Sequence, residues 1–203
     1  MNTTASQTAR LSSSTMPVIC KAQRIIGHQL ILRNADTSDA NFILRLRTDP
    51  QKRRYISATS PELAQQVAWL TQYAHKPDDA YFIVEDLNAT KVGTIRLYDA
   101  VDDCFCFGSW IIKNGAPISL AVESLLMAYH YALDELRFNR SYFAVRKDNR
   151  SVWRFMERFG GMRTRETDLD YWYETERAAV LESFRRYAYL LPEPIRVIHD
   201  SVP

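Results

Sequence analysis

Two arginine-rich clusters are the first residues here with chemistry to offer. One runs through Arg45, Arg47, Lys52, Arg53 and Arg54. The other occupies residues 137–165, where Arg137, Arg140, Arg146, Lys147, Arg150, Arg154, Arg158, Arg163 and Arg165 face only Asp148 and Glu157. Such clusters form solvated faces or hold a phosphorylated ligand, because a guanidinium fork matches a pair of phosphate oxygens. Over the whole chain 26 basic side chains balance 24 acidic ones, so no global field draws it to nucleic acid or to a membrane. Cys104 and Cys106 stand two apart in a strand-like run and share a face, where they read as small buried hydrophobes. With Cys20 they make no disulfide framework, which suits a reducing cytoplasm. His28, His75, His130 and His199 are scattered without a ligand-like pairing, so no metal site is expected.

These residues need elements to position them. Residues 1–23 are rich in Ser and Thr and read as a mobile leader. No window is long and apolar enough to span a bilayer. A short strand is expected at 29–33. A helix follows, offered caps by Asp36, Thr37 and Ser38 and closed before Pro50. Ser60, Pro61 and Glu62 signal a second helix start, with Leu63, Val67, Leu70 and Ala74 as its apolar stripe. Strand-like runs at 81–84, 91–98 and 105–112 are separated by polar turns and predict an antiparallel meander.

The pattern then changes period. Val122, Leu125, Leu126, Tyr129, Ala132, Leu133 and Leu136 mark a long amphipathic helix. A strand is expected at 141–145, then a helix carrying Val152, Phe155, Met156 and Phe159 that ends at Gly160 and Gly161. Two strands at 162–167 and 169–173 precede a helix over 177–190 and a tail opened by Pro192 and Pro194. This order predicts an α/β (α+β) domain with a mixed sheet, antiparallel first and parallel at its centre, flanked by helices. Ligands of such sheets sit outside the carboxyl ends of the central strands, here where 110–113 meets the helix near Ile118.

Over residues 29–173 the element order resembles that of the GNAT N-acetyltransferases. The stretch from Asp148 to Gly160 is similar to that family's late motif, in which an Asn opens a helix and a Gly follows eleven positions on, as Asn149 and Gly160 do. Lys91-Val92-Gly93-Thr94-Ile95 and Phe107-Gly108-Ser109-Trp110-Ile111-Ile112 resemble its third and fourth strands. The resemblance implies acetyl-CoA as co-substrate and a domain over 24–176, followed by a C-terminal helix and tail over 177–203. It implies that the backbone of Ile111, Ile112 and Lys113 meets the pantetheine arm, and that Ser119, Leu120 and Ala121 open the pyrophosphate-binding helix. Asn149 and Phe155 would complete the cofactor side. The phosphate turn departs from the family, with Ala116 where an Arg or Gln is usual, and Met156 stands where many relatives place an acidic Tyr.

For proton transfer the resemblance therefore leaves Ser109, Tyr142 and Tyr171 as the catalytic candidates, with Tyr173 beside them. Arg53, Arg54, Tyr55, Tyr98 and Trp110, together with Tyr171 and Trp172, are candidates for an acceptor pocket: aromatic faces to stack a sugar or base, arginines to meet a diphosphate. The wider subgroup it resembles acetylates nucleotide-linked amino sugars or the N-termini of ribosomal proteins. The acceptor is expected to be a small-molecule or peptide amine, the location cytoplasmic, and the reading leaves room for a homodimer. A second hypothesis is a catalytically weak CoA-binding or interaction protein. A third, nucleic-acid binding through 137–165, is disfavoured by Asp168 and Asp170, which soon follow.

Overall fold

The computed structural model describes residues 16–191 and 194–199. Its elements are β1 (Arg24–Ile26), β2 (Leu30–Asn34), α1 (Ala40–Thr48), α2 (Leu63–His75), β3 (Ala80–Asp86), β4 (Lys91–Val101) and β5 (Cys104–Ile112). Then come α3 (Ile118–His130), β6 (Arg140–Arg146), α4 (Arg150–Phe159), β7 (Met162–Glu166), β8 (Asp170–Glu176), α5 (Arg177–Arg186) and β9 (Arg196–Ile198). The strands join in one sheet in the order β7-β8-β6-β5-β4-β3-β2-β1-β9. The mixed sheet is as expected, and its parallel part is the single pair β5–β6 at the centre.

Alternation along the strands divides two cores. Phe105, Phe107, Phe143 and Tyr173 point toward α3, α4 and α5, where they pack with Leu125, Leu126, Tyr129, Met156 and Phe159. On the other face Tyr81 and Ile83 meet Ile43, Leu70 and Tyr73 of α1 and α2 in a smaller cluster. Gly160 ends α4 at φ +107°, where a Cβ would approach the Ala179 Cβ to 2.6 Å, so both conformation and space call for glycine.

Three expectations change. Ile19 and Ala22 are buried and the Cys20 carbonyl accepts from the Tyr131 hydroxyl at 2.8 Å, so residues 16–23 pack on the core instead of belonging to a leader. The remainder of that leader, residues 1–15, lies outside the described residues, as does Pro192 of the tail. The three-residue strands β1 and β9 are too short to carry a periodic signal and form only by pairing with neighbours. The inward side of α2 is Gln66, Leu70 and Tyr73, while Leu63 and Val67 are exposed. A polar Gln66 faces inward because it lines a cleft. Among the described residues no helix is long and apolar enough to cross a membrane.

Candidate active site

The central parallel pair is zipped for three residues only: Cys104, Phe105 and Cys106 align with Arg140, Ser141 and Tyr142. Beyond them β5 continues to Ile112 and β6 to Arg146 without pairing to each other, while β6 stays in register with β8 along its length. The backbone edges of the two strands are thereby opened to a ligand. Strand β5 also carries a bulge: Thr94 pairs with Ile111 but Arg96 with Gly108, so Ser109 and Trp110 together oppose Ile95.

Two helix starts flank this opening. Pro117 precedes α3 and no side chain caps it, which leaves the opening amides at Ile118 and Ser119 for an anion. Asn149 stands at the cap position of α4, and its carbonyl accepts from the amides of Val152 and Trp153 at 3.1 Å. Its side chain makes no capping bond. Instead Asn149 Oδ1 accepts from Ser151 Oγ at 3.3 Å.

On the α1–α2 face a cleft of about 640 Å³ meets the same opening. Arg47 crosses it: Nε donates to Thr59 Oγ1 at 2.7 Å, Nη1 to Ser109 Oγ at 3.2 Å and Nη2 to Ser57 Oγ at 2.9 Å. Arg96 lies against the rings of Trp69 and Tyr98, at 4.9 and 4.6 Å, and is tied through Nε to buried Asp79 at 2.7 Å. Arg146 pairs with Asp170 at 2.9 Å. Asp170 is the single carboxylate lining the cleft against these three guanidinium groups. Aromatic faces come from Tyr55, Trp69, Tyr98 and Trp172. Tyr81 lines the cleft, and its hydroxyl is buried with no hydrogen-bond partner among the described residues. Burial pushes the Cys106 thiol up to about 11, so this cleft residue is a poor nucleophile.

Of the expected site residues, Tyr55, Tyr98, Ser109 and Trp172 line the cleft. Arg53 and Arg54 do not; both are exposed on the short turn beside Tyr55, with the Arg54 guanidinium 4.5 Å from that ring. Trp110 turns to the opposite face, where Nε1 donates to Ser124 Oγ at 3.2 Å and the ring packs 5.9 Å from Phe155. Tyr142 gives its proton to the Asp99 carbonyl at 2.8 Å and borders a separate hollow with Trp172 and Glu174. Burial raises its hydroxyl to about 12, which also makes it a reluctant acid. Tyr171 lies on the α4 side beneath the Arg163 guanidinium, 3.6 Å away, and edge-on to Trp153. Both tyrosines are thus removed from the cleft. Ile111 is buried at the bulge, Ile112 is half-buried and Lys113 exposed, its amide donating to the Val92 carbonyl at 2.8 Å. Ser119, Leu120 and Ala121 form the half-buried first turn of α3, and Phe155 is half-buried against Phe159 and Tyr187. Met156 is fully buried.

Sequence reasoning named Arg47 and Arg146 only as members of the two basic clusters and passed over Arg96 and Tyr81 as site residues. Three had a readable signal: Arg47 is one helical turn from buried Ile43, Arg96 two residues from Tyr98, and Arg146 four from Tyr142. Each shares a face with a residue already in view.

Residues 29–162 match the model of a family described as an acetyltransferase (GNAT) domain. No curated protein matches the chain in sequence. Among solved structures, apo FdhC, a nucleotide-linked sugar GNAT, is 29% identical with a TM-score of 0.74, covering 83% of this chain and 98% of that one. A GCN5-related N-acetyltransferase from Brucella melitensis is 18% identical with a TM-score of 0.72, covering 89% and 91%. A spermidine N-acetyltransferase, a chimera of the Vibrio cholerae SpeG protein and hSSAT, is 17% identical with a TM-score of 0.65, covering 76% and 99%. The last two share the fold.

Proposed function

Because the chain belongs to the GNAT acetyltransferase family and is an acyltransferase, we propose that it moves an acetyl group from acetyl-CoA to the primary amine of a nucleotide-linked amino sugar. The observation that carries this reading is the cleft wall: Arg47, Arg96 and Arg146 interleaved with Tyr55, Trp69, Tyr98 and Trp172, with Arg96 paired to buried Asp79, Arg146 to Asp170 and Arg47 to no carboxylate among the described residues. Guanidinium groups suit a diphosphate and aromatic faces suit a base or sugar ring. A polyamine such as spermidine would meet the unpaired Arg47 guanidinium and no carboxylate that is not already paired with an arginine, which disfavours it. The likeness to a nucleotide-linked sugar GNAT supports the same acceptor class.

The opening between β5 and β6 fits the pantetheine arm, with the backbone at Ile111, Ile112 and Lys113 and the side-chain amide of Asn149 as partners. The uncapped amides at Ile118 and Ser119 fit the pyrophosphate. Acetyl-CoA supplies the thioester, whose acyl carbon takes the amine lone pair as its bond to sulfur breaks. The chain's own part is to bring the amine neutral and aligned. Nearby guanidinium charge disfavours the ammonium form, so the amine sheds its proton to water at the cleft mouth. Ser109 takes part through its backbone, at the bulge where the cleft meets the β5–β6 opening, while its hydroxyl accepts from Arg47. As the amide forms the nitrogen gives up its second proton to water, and the thiolate, a good leaving group, takes a proton from solvent.

CoA release, followed with nucleotide-linked amino sugars, free amino sugars, spermidine and an N-terminal peptide, tests the reading. The nucleotide-linked sugar should show the highest kcat/KM, exceeding the free sugar by at least about tenfold through its diphosphate contacts. A preference for spermidine or the peptide would overturn it.

A further inference from the structure

Among the described residues six non-glycine positions have positive φ: Asp78, Ala89, Asp99, Asp102, Ser109 and Arg137. The others lie in turns or, as with Asp99, where β4 nears its hairpin. Ser109 stands apart, at φ +46° in the middle of β5. A side chain is disfavoured in that region unless its surroundings hold it there.

Two neighbours do so. Thr94 is fully buried on β4, and its hydroxyl donates to the Ser109 carbonyl at 2.6 Å. Arg47 holds the other end of the residue by donating to Ser109 Oγ. Thr94 sits between Val92 and Ile95 in a strand where a valine would pack as well, so its hydroxyl calls for a reason beyond β-propensity. Ser109 and Trp110 have no register partner on β4 or on β6, so nothing in the ladder fixes them.

We propose that Thr94 and Arg47 are positioning residues for acetyl transfer. They hold Ser109 in its left-handed conformation and so keep the peptide groups on either side of it at the junction of the cleft and the β5–β6 opening. This rests on the reading that acyl transfer takes place at that junction.

Thr94→Val removes the hydroxyl and keeps a branched side chain of similar shape. Its kcat should fall about tenfold or more, with the KM for acetyl-CoA nearly unchanged, for whichever amine the parent turns over fastest. Thr94→Ser, which keeps the donor, should restore kcat. Adding Ser109→Gly to Thr94→Val should recover most of the loss, because glycine adopts positive φ unaided. A merely structural role for Thr94 gives no reason for rescue by deleting a side chain elsewhere. Amide exchange over residues 107–112, read by mass spectrometry without substrates, should be faster in Thr94→Val, and this readout does not depend on the acceptor. If turnover occurs with an amine other than a nucleotide-linked sugar, the acceptor assignment falls while the positioning role is tested unchanged. If Thr94→Val yields no folded protein, Arg47→Lys reads the outer contact, with the same fall in kcat and the same recovery on adding Ser109→Gly. Parental kcat with parental exchange in Thr94→Val overturns the proposal, as does a double variant no faster than the single one.

Discussion

Strand β5 presents Phe105 and Phe107 to one face of the sheet and Cys106 and Gly108 to the other, and the two faces differ throughout. Toward α3, α4 and α5 the strands bury aromatic and aliphatic side chains under continuous helical cover. Toward α1 and α2 the same strands offer Thr94, Arg96, Tyr98 and Arg146, and the cover stops at a cleft. Even the buried carboxylates follow this division. On the cleft side Asp39 meets Arg33 and Lys91, and Asp79 meets Arg96 and Lys76. On the core side Glu123 pairs with no lysine or arginine among the described residues; it accepts from the amides of Gln29 and Leu30 at 2.7 and 3.2 Å. One face supplies stability, and the other holds charge ready for a ligand.

The largest effect expected from that division is on stability. Phe159 is fully buried against Tyr129, so Phe159→Ala should cost about 3–5 kcal/mol in urea unfolding, whereas half-buried Phe155→Ala should cost less. Equal losses would show that α4 is buried on a different side. On the cleft face the expected effect is on binding. Arg47→Ala should raise the acceptor KM by about tenfold or more while the unfolding midpoint moves little, because Arg47 pairs with no carboxylate among the described residues. A collapse in stability with normal acceptor kinetics in the surviving protein would assign Arg47 to the frame instead.

Tyr81 sharpens the comparison, since it belongs to the small core and also lines the cleft. Its hydroxyl is buried without a partner among the described residues, a cost that Tyr81→Phe removes. The variant should therefore be as stable as the parent or up to about 1 kcal/mol more stable, while its acceptor KM rises. Lower stability with an unchanged KM would show that the hydroxyl serves the fold.

The buried carboxylates predict opposite responses to pH. Burial raises the Glu123 pKa above its ordinary value, although the surrounding amides oppose the shift. Its stabilising contribution is therefore present at low pH and lost as pH rises through the raised value. For Asp39 burial pushes upward, but hydrogen bonds from Arg33 and Lys91 prevail and hold it below the usual range. That contribution is present above the ordinary carboxylate range and lost as pH falls through the lowered value. Between about pH 4 and pH 7 the parent should lose unfolding free energy relative to Glu123→Gln. A constant difference across that window would show that Glu123 does not titrate there.

Much of the fold was legible because alternation and helical spacing are written in the side chains themselves. The meander, the helix from Ile118 and the glycine stop at Gly160 all follow from local pattern. The short strands β1 and β9 were not legible, because three residues carry no period and these strands exist through their partners. The residues around the β5–β6 opening were chosen by motif spacing, and among those chosen for an acceptor pocket Tyr55, Tyr98 and Trp172 line the cleft while Arg53, Arg54, Trp110 and Tyr171 do not. Trp110 and Tyr171 were chosen for residue type, whereas the face a residue occupies depends on the bulge at Ser109 and on the register of β8 with β6. A bulge that shifts the alternation by one residue sends Trp110 to the core side, and no nearby pattern announces it.

Asn149 gives the smallest expected change in stability and divides the two readings of the late motif. At this position a side chain that capped α4 would accept from an amide one turn into the helix. The Asn149 side chain does not; its carbonyl alone serves the helix, and the side-chain amide nitrogen is left to other partners. Asn149→Ala should therefore cost less than a lost cap, within about 0.5 kcal/mol in denaturant unfolding. If the amide meets the pantetheine arm, the same variant should raise the KM for acetyl-CoA by about fivefold or more and leave the acceptor KM alone, the loss expected for one hydrogen bond to a bound ligand. A destabilisation of about 1 kcal/mol or more with normal cofactor kinetics would return Asn149 to a purely structural role. Because the acceptor cleft lies across the β5–β6 opening from α4, a change confined to the acceptor KM would count equally against the cofactor assignment.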